Sequence, residues 1–198
     1  MSRLRLAIMI SGRGSNMESL ITAASAPDYP AEAKLVLSNR PEAAGLKTAR
    51  RAGLATLAVD HKAYGSDREM FERHLDTALR DEAIEVIAMA GFMRVLTPWF
   101  VNRWAGRLIN IHPSLLPRYP GLNTHARALD AGDKYGGCTV HWVAEGVDTG
   151  DVIDQARVEI KADDTPASLA ERVLIEEHKL YPAALKQACE QIRLRSAS

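Results

Sequence analysis

Two polar side chains that suit acyl transfer stand two residues apart in the stretch Asn110-Ile111-His112. Residues i and i+2 of a β-strand point to the same face, so an amide donor and an imidazole would project together from a strand end. A tetrahedral intermediate carries an oxyanion and releases a proton, and such a pair could serve both needs. A capped strand end explains an Asn-x-His pair equally, so the spacing alone leaves both readings open.

A second candidate is the glycine-containing loop at residues 11–16, between an apolar run and a helical pattern. Its two glycines permit a tight turn, and the following helix offers free N–H groups, to which Ser15 and Asn16 could add capping oxygens or donors. Met17 stands where a dinucleotide fingerprint needs its third glycine, and Ser38-Asn39-Arg40 brings no acid for an adenosine ribose. The loop therefore predicts a phosphate site rather than an NAD site, and a plain tight turn remains the alternative.

The elements that must position these residues alternate between short apolar runs and helical patterns, which indicates βαβ units and a mainly parallel sheet. Ligands of such sheets bind beyond the carboxyl ends of the strands, where both candidates fall. The predicted strands are residues 5–10, 33–38, 55–59, 86–90 and 107–111, and the predicted helices are residues 15–24, 42–52, 67–82 and 98–104. Ser66 and Glu69 predict a capping box at the third helix.

The pattern changes after residue 111. Residues 113–124 contain three prolines and are predicted to be irregular, and a short helix follows at about 125–131. Residues 138–143 and 152–160 alternate like two antiparallel strands. The last helix is predicted to begin at Pro166, run to Tyr181 and resume after Pro182. We therefore expect an α/β fold, an open, mainly parallel sheet with helices on both faces, a Rossmann-like first half and an added antiparallel hairpin.

Composition narrows the class of protein. The 198 residues suit a single domain, 1–198, with halves at 1–105 and 106–198, and 46% apolar residues exclude a disordered chain. Lys+Arg and Asp+Glu both number 25, so we expect no nucleic-acid partner.

The apolar run near the N-terminus is shorter than a signal peptide needs, and no run is long enough to span a membrane. Cys138 and Cys189 fit buried thiols in a reducing cytoplasm, and the sequence does not decide between monomer and homodimer.

Taken together, the motifs resemble those of the folate-dependent formyltransferases. Asn-Ile-His-Pro-Ser-Leu-Leu-Pro at 110–117 is similar to the signature of that family, and the resemblance extends over nearly the whole chain. Within the family, the segments most similar to the branch that formylates phosphoribosylglycinamide are 10–16, 90–96, 119–122 and 177–182.

The resemblance implies transfer of a formyl group from 10-formyltetrahydrofolate to the amine of N1-(5-phosphoribosyl)glycinamide in purine biosynthesis, with small-molecule substrates and no metal. Asn110 and His112 would stabilise the oxyanion, and Asp148 would keep the imidazole charged and help relay a proton. The implied ribonucleotide-binding residues are Gly14, Ser15, Asn16 and Glu177. The implied folate-binding residues are Arg68, Met93, Arg94, Val95, Leu96, Asn110, Ala144, Glu145, Gly146, Val147 and Asp148.

Simpler readings stay open for several of these residues. An aspartate in the Gly-rich turn at 146–150 often serves the turn alone. Arg68 could be a solvated residue at the start of a helix, and Met93 and Leu96 could belong to the hydrophobic core. Histidines at 125 and 141 match family histidines, but the alternating strand favours a structural role for His141. Arg13 and Asn123 stand where relatives vary or carry another residue, so their effects are open.

Three other functions compete with the formyltransferase reading. A formyltetrahydrofolate hydrolase would use the same triplet with water as the nucleophile, and its relatives carry an extra domain ahead of the first strand. Methionyl-tRNA formyltransferase carries an added basic domain. A non-catalytic module that binds a phosphorylated metabolite would need the loop at 11–16 but not Asn110, His112 and Asp148 together.

Overall fold

The computed structural model describes residues 2–196, which form a seven-stranded sheet in the order β3-β2-β1-β4-β5-β6-β7. Strands β1 to β5 are parallel to one another, β6 is antiparallel to β5, and β7 is antiparallel to β6. The predicted fold class is therefore confirmed. The strands are β1 Leu4–Ile10, β2 Ala31–Ser38, β3 Ala55–Ala58, β4 Val86–Met89, β5 Leu108–His112, β6 Tyr135–Trp142 and β7 Val152–Glu159. The helices are α1 Ser15–Ala24, α2 Ala44–Arg51, α3 Arg68–Asp81, α4 Pro98–Arg103, α5 Thr124–Asp130 and α6 Pro166–Ser196, with a 3-10 turn at His61–Tyr64.

The two faces of the sheet carry separate apolar clusters, because successive side chains of a strand point to opposite faces. On β1, Leu6 and Ile8 pack with residues of α1, α2 and α6. Ala7 and Met9 pack on the opposite face with residues of α3 and α4. Burial on both faces holds the strand ends in fixed positions, and the candidate residues project from those ends.

The strand order reverses between β1 and β4, and Ser11 joins the strand ends there. Its N–H donates to Gly91 O (3.1 Å), and its hydroxyl donates to Asn39 Oδ1 (2.6 Å). The same hydroxyl oxygen accepts from Met93 N (2.7 Å). One short side chain therefore ties together the segments that follow β1, β2 and β4, at the crevice where such sheets bind ligands.

Helix α6 differs from its prediction, because it continues through Pro182 instead of stopping at Tyr181. A proline inside a helix removes one backbone hydrogen bond and is usually disruptive. Here the buried Tyr181 hydroxyl donates to Met89 O (2.9 Å), and the Tyr29 hydroxyl donates to Pro182 O (2.7 Å). These two tertiary contacts, at Tyr181 and at Pro182 itself, hold the helix in place around the proline.

Local capping was also predicted incorrectly at two helices. Asp67, not Ser66, caps α3 by accepting from Met70 N (2.9 Å). Helix α1 has Gly14 as its N-cap, so Ser15 lies inside the helix.

Strands β2 and β6 begin at residues 31 and 135, earlier than the predicted 33 and 138. Within residues 2–196, no helix combines the length and apolar character needed to cross a bilayer.

Candidate active site

The loop at 11–16 presents backbone donors around a cavity of about 240 Å³. Gly14 has a left-handed φ of 77° and caps α1 with no side-chain hydrogen bond. The first-turn N–H groups of α1 are therefore not used by a capping side chain, and they carry the positive end of the helix dipole. Arg13 and Arg40 also line this cavity. The arrangement suits an anion.

Gly45 in α2 supports this loop from behind, and the sequence interpretation missed it. Its N–H donates to Gly12 O (3.0 Å). A Cβ at position 45 would lie 2.5 Å from Ile10 Cδ1 and 2.9 Å from Arg13 O, so only glycine lets α2 approach this closely. A glycine inside a helical pattern was the available signal, since it often marks a packing requirement.

Asn16 and Glu177 meet beside the loop although 161 positions separate them. Asn16 Nδ2 donates to Glu177 Oε2 (2.6 Å), and both side chains are buried. Burial raises the pKa of Glu177, against the opposing effect of the Asn16 hydrogen bond. The Oδ1 atom of Asn16 is buried without a hydrogen-bond partner, so it is an acceptor suited to a donor from a ligand. Tyr181, one turn further along α6, donates to Met89 O (2.9 Å) and anchors this part of the helix to β4.

A larger cavity of about 800 Å³ adjoins the first, because Asn16, Gly91 and Met93 line both. Met93 is 64% exposed, so the alternative reading of Met93 as a core residue is wrong. Leu96 packs partly buried against the cluster beneath α3 and α4. Of the predicted folate residues, those lining the larger cavity are Met93, Arg94, Val95, Leu96, Asn110, Ala144, Gly146, Val147 and Asp148.

Two predicted folate residues lie elsewhere. Arg68 is an exposed residue at the start of α3 and lies outside the lining of both cavities. Its guanidinium charge acts on Glu72, one turn along the same helix. Glu145 also lies outside the lining and accepts from Asn102 Nδ2 (2.8 Å). Glu145 stands between the lining residues Ala144 and Gly146, whereas Arg68 has no lining residue beside it in the sequence, and neither side chain lines the larger cavity.

The structure brings Asn110, His112 and Asp148 together at the end of β5. His112 Nδ1 lies 3.2 Å from Asp148 Oδ2, and His112 Nε2 lies 2.9 Å from Tyr119 O. A carboxylate and a carbonyl are both acceptors, so only an imidazolium, with a proton on each nitrogen, satisfies both contacts. The cluster therefore favours a positive charge on a histidine that is 5% exposed.

Asp148 adopts a left-handed φ of 55° and contacts three other segments of the chain. Its Oδ2 atom accepts from Gly121 N (2.9 Å), and its Oδ1 atom lies 3.6 Å from His141 Nε2. Burial acts to raise the pKa of Asp148, but the His141 and Gly121 hydrogen bonds and the histidine charges outweigh it and lower that pKa. Asp148 therefore remains ionised at neutral pH and can hold a neighbouring cation.

His141 belongs to this cluster, although the sequence favoured a structural role for it. Pairing of β5 with β6 places His141 opposite Asn110, with His141 Nε2 3.4 Å from Asn110 Nδ2. His141 Nδ1 donates to Trp142 O (2.9 Å), which orients the ring. His125 lines the same cavity, and burial followed by the charge of His112 lowers its pKa. Strand register, which local sequence does not reveal, brings His141 into the site.

The open α/β sheet places a loop suited to an anion beside an Asn-His-Asp cluster in which His112 is buried and Asn110 and Asp148 are partly buried. Residues 4–185 match the Formyl transferase family. The chain therefore belongs to the formyl transferase family, and the predicted family and the predicted formyl-transferring class of enzyme are confirmed.

Comparison with known proteins identifies the members of the family that the chain is similar to. The chain is 43% identical over 182 residues to phosphoribosylglycinamide formyltransferase of Escherichia coli (strain K12), covering 92% of this chain and 85% of that protein. It superposes on the crystal structure of phosphoribosylglycinamide formyltransferase from Brucella melitensis with a TM-score of 0.90 and 49% identity, covering 95% and 96% of the two chains. It is also 46% identical over 184 residues to the human trifunctional purine biosynthetic protein adenosine-3, covering 93% of this chain but only 18% of that protein's length.

Proposed function

We propose that the chain transfers the formyl group of 10-formyltetrahydrofolate to the amine of N1-(5-phosphoribosyl)glycinamide, a step in the synthesis of IMP. The observation that carries this proposal is the junction of the two cavities: one ends on free helix N–H groups, and the other contains Asn110, His112 and Asp148. A phosphorylated amine and a formyl donor could therefore meet at the Asn-His-Asp cluster. The Escherichia coli and Brucella melitensis relatives are phosphoribosylglycinamide formyltransferases, which supports the same reaction here.

The ribonucleotide would lie with its phosphate at the smaller cavity. The backbone donors of Gly14, Ser15 and Asn16 would bind the phosphate oxygens. Glu177 would accept hydrogen bonds from the ribose hydroxyls, and the unpartnered Oδ1 atom of Asn16 offers a further acceptor beside it. The buried contact between Asn16 and Glu177 would thus select a sugar phosphate over a simple phosphate ester.

The folate would occupy the larger cavity, between residues 93–96 and residues 144–148. These segments offer apolar side chains, and Met93, Val95 and Val147 are about half exposed or more (64%, 54% and 48%), as expected for surfaces that a ring system would cover. Arg68 would lie towards the acidic tail of the folate, where an exposed cation attracts carboxylates without a fixed contact.

In the transfer step, the substrate amine attacks the formyl carbon, and a C–N bond forms as the carbonyl oxygen becomes an oxyanion. Asn110 Nδ2 would donate to that oxygen, and the charge on His112 would stabilise it. Asp148 would maintain the charge of His112 and help carry the proton released by the amine to N10 of the folate as the C–N10 bond breaks. The products are tetrahydrofolate and the formylated ribonucleotide.

We also propose that residues 1–198 act as a single domain in which residues 1–105 bind the phosphate and residues 106–198 supply the catalytic groups and most of the folate site. Cys138 and Cys189 are free and buried, which suits a reducing cytoplasm. The reaction as written needs two small-molecule substrates and no metal ion. We expect a chelator to leave the rate unchanged.

The direct test follows the absorbance change when 10-formyltetrahydrofolate loses its formyl group, with and without the ribonucleotide. We expect turnover only when both substrates are present. Turnover at the same rate without the ribonucleotide would indicate a hydrolase instead. Binding of the ribonucleotide with no turnover at all would indicate a non-catalytic module.

A further inference from the structure

Tyr119 lies in the irregular segment 113–123, between β5 and α5, and contacts His112 through its backbone. The Tyr119 carbonyl oxygen accepts from His112 Nε2 (2.9 Å), and the Ser114 hydroxyl approaches the same oxygen (3.3 Å). Tyr119 has a left-handed φ of 56°, which is unfavourable for a bulky residue. Other contacts must therefore hold the residue in this conformation.

The side chain of Tyr119 provides those contacts. Its hydroxyl donates to Asp133 Oδ2 (2.7 Å) and accepts from an Arg118 guanidinium nitrogen (3.1 Å). Arg118 also pairs with Asp133 Oδ1 (2.8 Å), and the Arg118 and Arg127 guanidinium carbons each lie 5.2 Å from the centre of the tyrosine ring. The hydrogen bond to Asp133 raises the pKa of the Tyr119 hydroxyl. Tyr119 is thus fixed by one carboxylate and two cations outside the Asn-His-Asp cluster.

We propose that Tyr119 is a positioning residue for formyl transfer: the phenol locked to Asp133 holds the Tyr119 carbonyl against His112 Nε2, and this contact keeps a second proton on the ring. Asp148 binds the Nδ1 proton, and Tyr119 binds the Nε2 proton. Removal of either acceptor leaves a ring that can satisfy its remaining contact while neutral. The effect on rate rests on the proposed function, whereas the effect on the ring's proton does not.

The other titratable groups around His112 set the direction of this effect. Asp148, in the connection between β6 and β7, favours the cation. His141 on β6 faces Asp148 and competes for the same carboxylate when it is charged. His125 on α5 interacts with the charge of His112, and burial lowers the pKa of His125 so that it stays neutral. Asp148 alone among these favours the charged ring, so the Tyr119 carbonyl is the second stabilising contact.

The test compares Tyr119→Phe and Asp133→Ala, each of which removes one partner of the Tyr119–Asp133 hydrogen bond, with the wild-type chain and with Tyr135→Phe. Tyr135 is a nearby, 39% exposed tyrosine whose ring contacts Lys134, and it serves as the matched control. The ring signals of His112 are identified as those that disappear from the NMR spectrum of the His112→Asn variant. Titration of these signals gives the pH at which His112 releases its proton. A neutral hydrogen bond contributes about 0.5–1.5 kcal/mol, and one pH unit corresponds to about 1.4 kcal/mol. We expect that pH to fall by about 0.4–1 unit in both variants and to stay unchanged in Tyr135→Phe.

The double variant and the pH dependence of kcat separate positioning from general destabilisation. Because both substitutions break one contact, the double variant should shift the titration no further than either single variant. The pH above which kcat declines should move to a lower value by the same amount, and the KM values for both substrates should stay unchanged. An unchanged His112 titration in Tyr119→Phe would overturn the proposal even if activity fell. A shifted titration in a chain that transfers no formyl group would instead overturn the proposed function.

Discussion

The loop at 11–16 and the cluster around His112 stand side by side and are constructed differently. The loop is continuous in sequence, presents backbone donors, and depends on Gly14 and Gly45 for its shape. The cluster collects side chains from β5, β6 and the turn that contains Asp148, together with backbone groups of residues 119–121, and both Tyr119 and Asp148 are in left-handed conformations. An anion site needs only correctly oriented N–H groups, whereas the cluster needs several acceptors around one imidazole.

This difference predicts a division of effects between substitutions. Changes in the loop should weaken binding of the ribonucleotide in its ground state and therefore raise its KM. Changes in the cluster should remove interactions that matter in the transition state, and they should lower kcat with little effect on KM. A substitution that altered both parameters equally would argue against the separation.

The largest effect is expected for Asp148→Asn, which keeps the size of the side chain and removes its charge. The loss of the counter-ion should leave His112 mostly neutral and lower kcat by about 10²–10⁴-fold, the usual range for proton-transfer groups. The pKa of Asp148 is lowered, so the carboxylate should be present at neutral pH and lost only as the pH falls through that depressed value. Steady-state kinetics with Asp151→Asn, an exposed neighbour, is the control. A near-normal kcat in Asp148→Asn would mean that Asp148 serves only the conformation of the turn.

Asn110→Ala should have the next largest effect. The substitution keeps β5 intact but removes the Nδ2 donor, and loss of one oxyanion donor typically lowers kcat by about 10²–10³-fold. Dissociation constants for both substrates should remain within a few fold of wild type. If kcat fell by tenfold or less, Asn110 would be a strand-end cap and the oxyanion would be held elsewhere.

Gly14→Val should act on binding alone. Its φ of 77° disfavours a β-branched residue, and a Cβ there would lie 3.2 Å from Met17 Cε. Misplaced N–H donors should reduce ribonucleotide affinity at least about tenfold, since charged hydrogen bonds contribute about 1.5–3 kcal/mol each. Gly53→Val is the matched control, because Gly53 has a similar φ of 76°, a Cβ there meets no atom within 4 Å, and the residue lines neither cavity. Calorimetric titration should give unchanged folate affinity in both variants, and a parallel loss of folate affinity would make the loop merely structural.

The smallest effect should be a gain in stability from Glu177→Gln. Burial raises the pKa of Glu177, so ionisation of this carboxyl in the folded state costs stability as the pH rises above its unfolded value. Glutamine keeps an oxygen for Asn16 Nδ2 without that cost. Thermal denaturation should therefore give a higher Tm for the variant at pH 7, by about 2–4 °C per kcal/mol, with the gain disappearing towards pH 4. A gain that is the same at both pH values would contradict the role of ionisation.

Much of the fold and the site could be predicted from local sequence because the relevant signals are local. The apolar run of β1 and the glycines beside α1 identify the loop at 11–16 without any tertiary information. Asn110 and His112 share one strand face, so their convergence follows from the period of a strand. Motif resemblance supplied Asp148 and Glu177, whose positions relative to His112 and Asn16 no local pattern reveals.

The remaining features depend on contacts between distant segments. Pro182 lies within a continuous helix because the Tyr181 hydroxyl bonds to β4 and the Tyr29 hydroxyl bonds to the Pro182 carbonyl, which anchors the helix at the proline. His141 enters the site through strand register, and Gly45 supports the loop across a helix–loop contact. The carbonyl of Tyr119 carries no sequence signal, since every residue has one.

The measurement that tests the central claim most directly follows the fate of the formyl carbon. 10-Formyltetrahydrofolate carrying ¹³C in the formyl group is mixed with the protein in the presence and absence of the ribonucleotide, and the products are separated and observed by NMR. We expect the label in an amide of the ribonucleotide, and little labelled formate when the ribonucleotide is omitted. Labelled formate produced equally in both reactions, with none in the ribonucleotide, would contradict formyl transfer by this site.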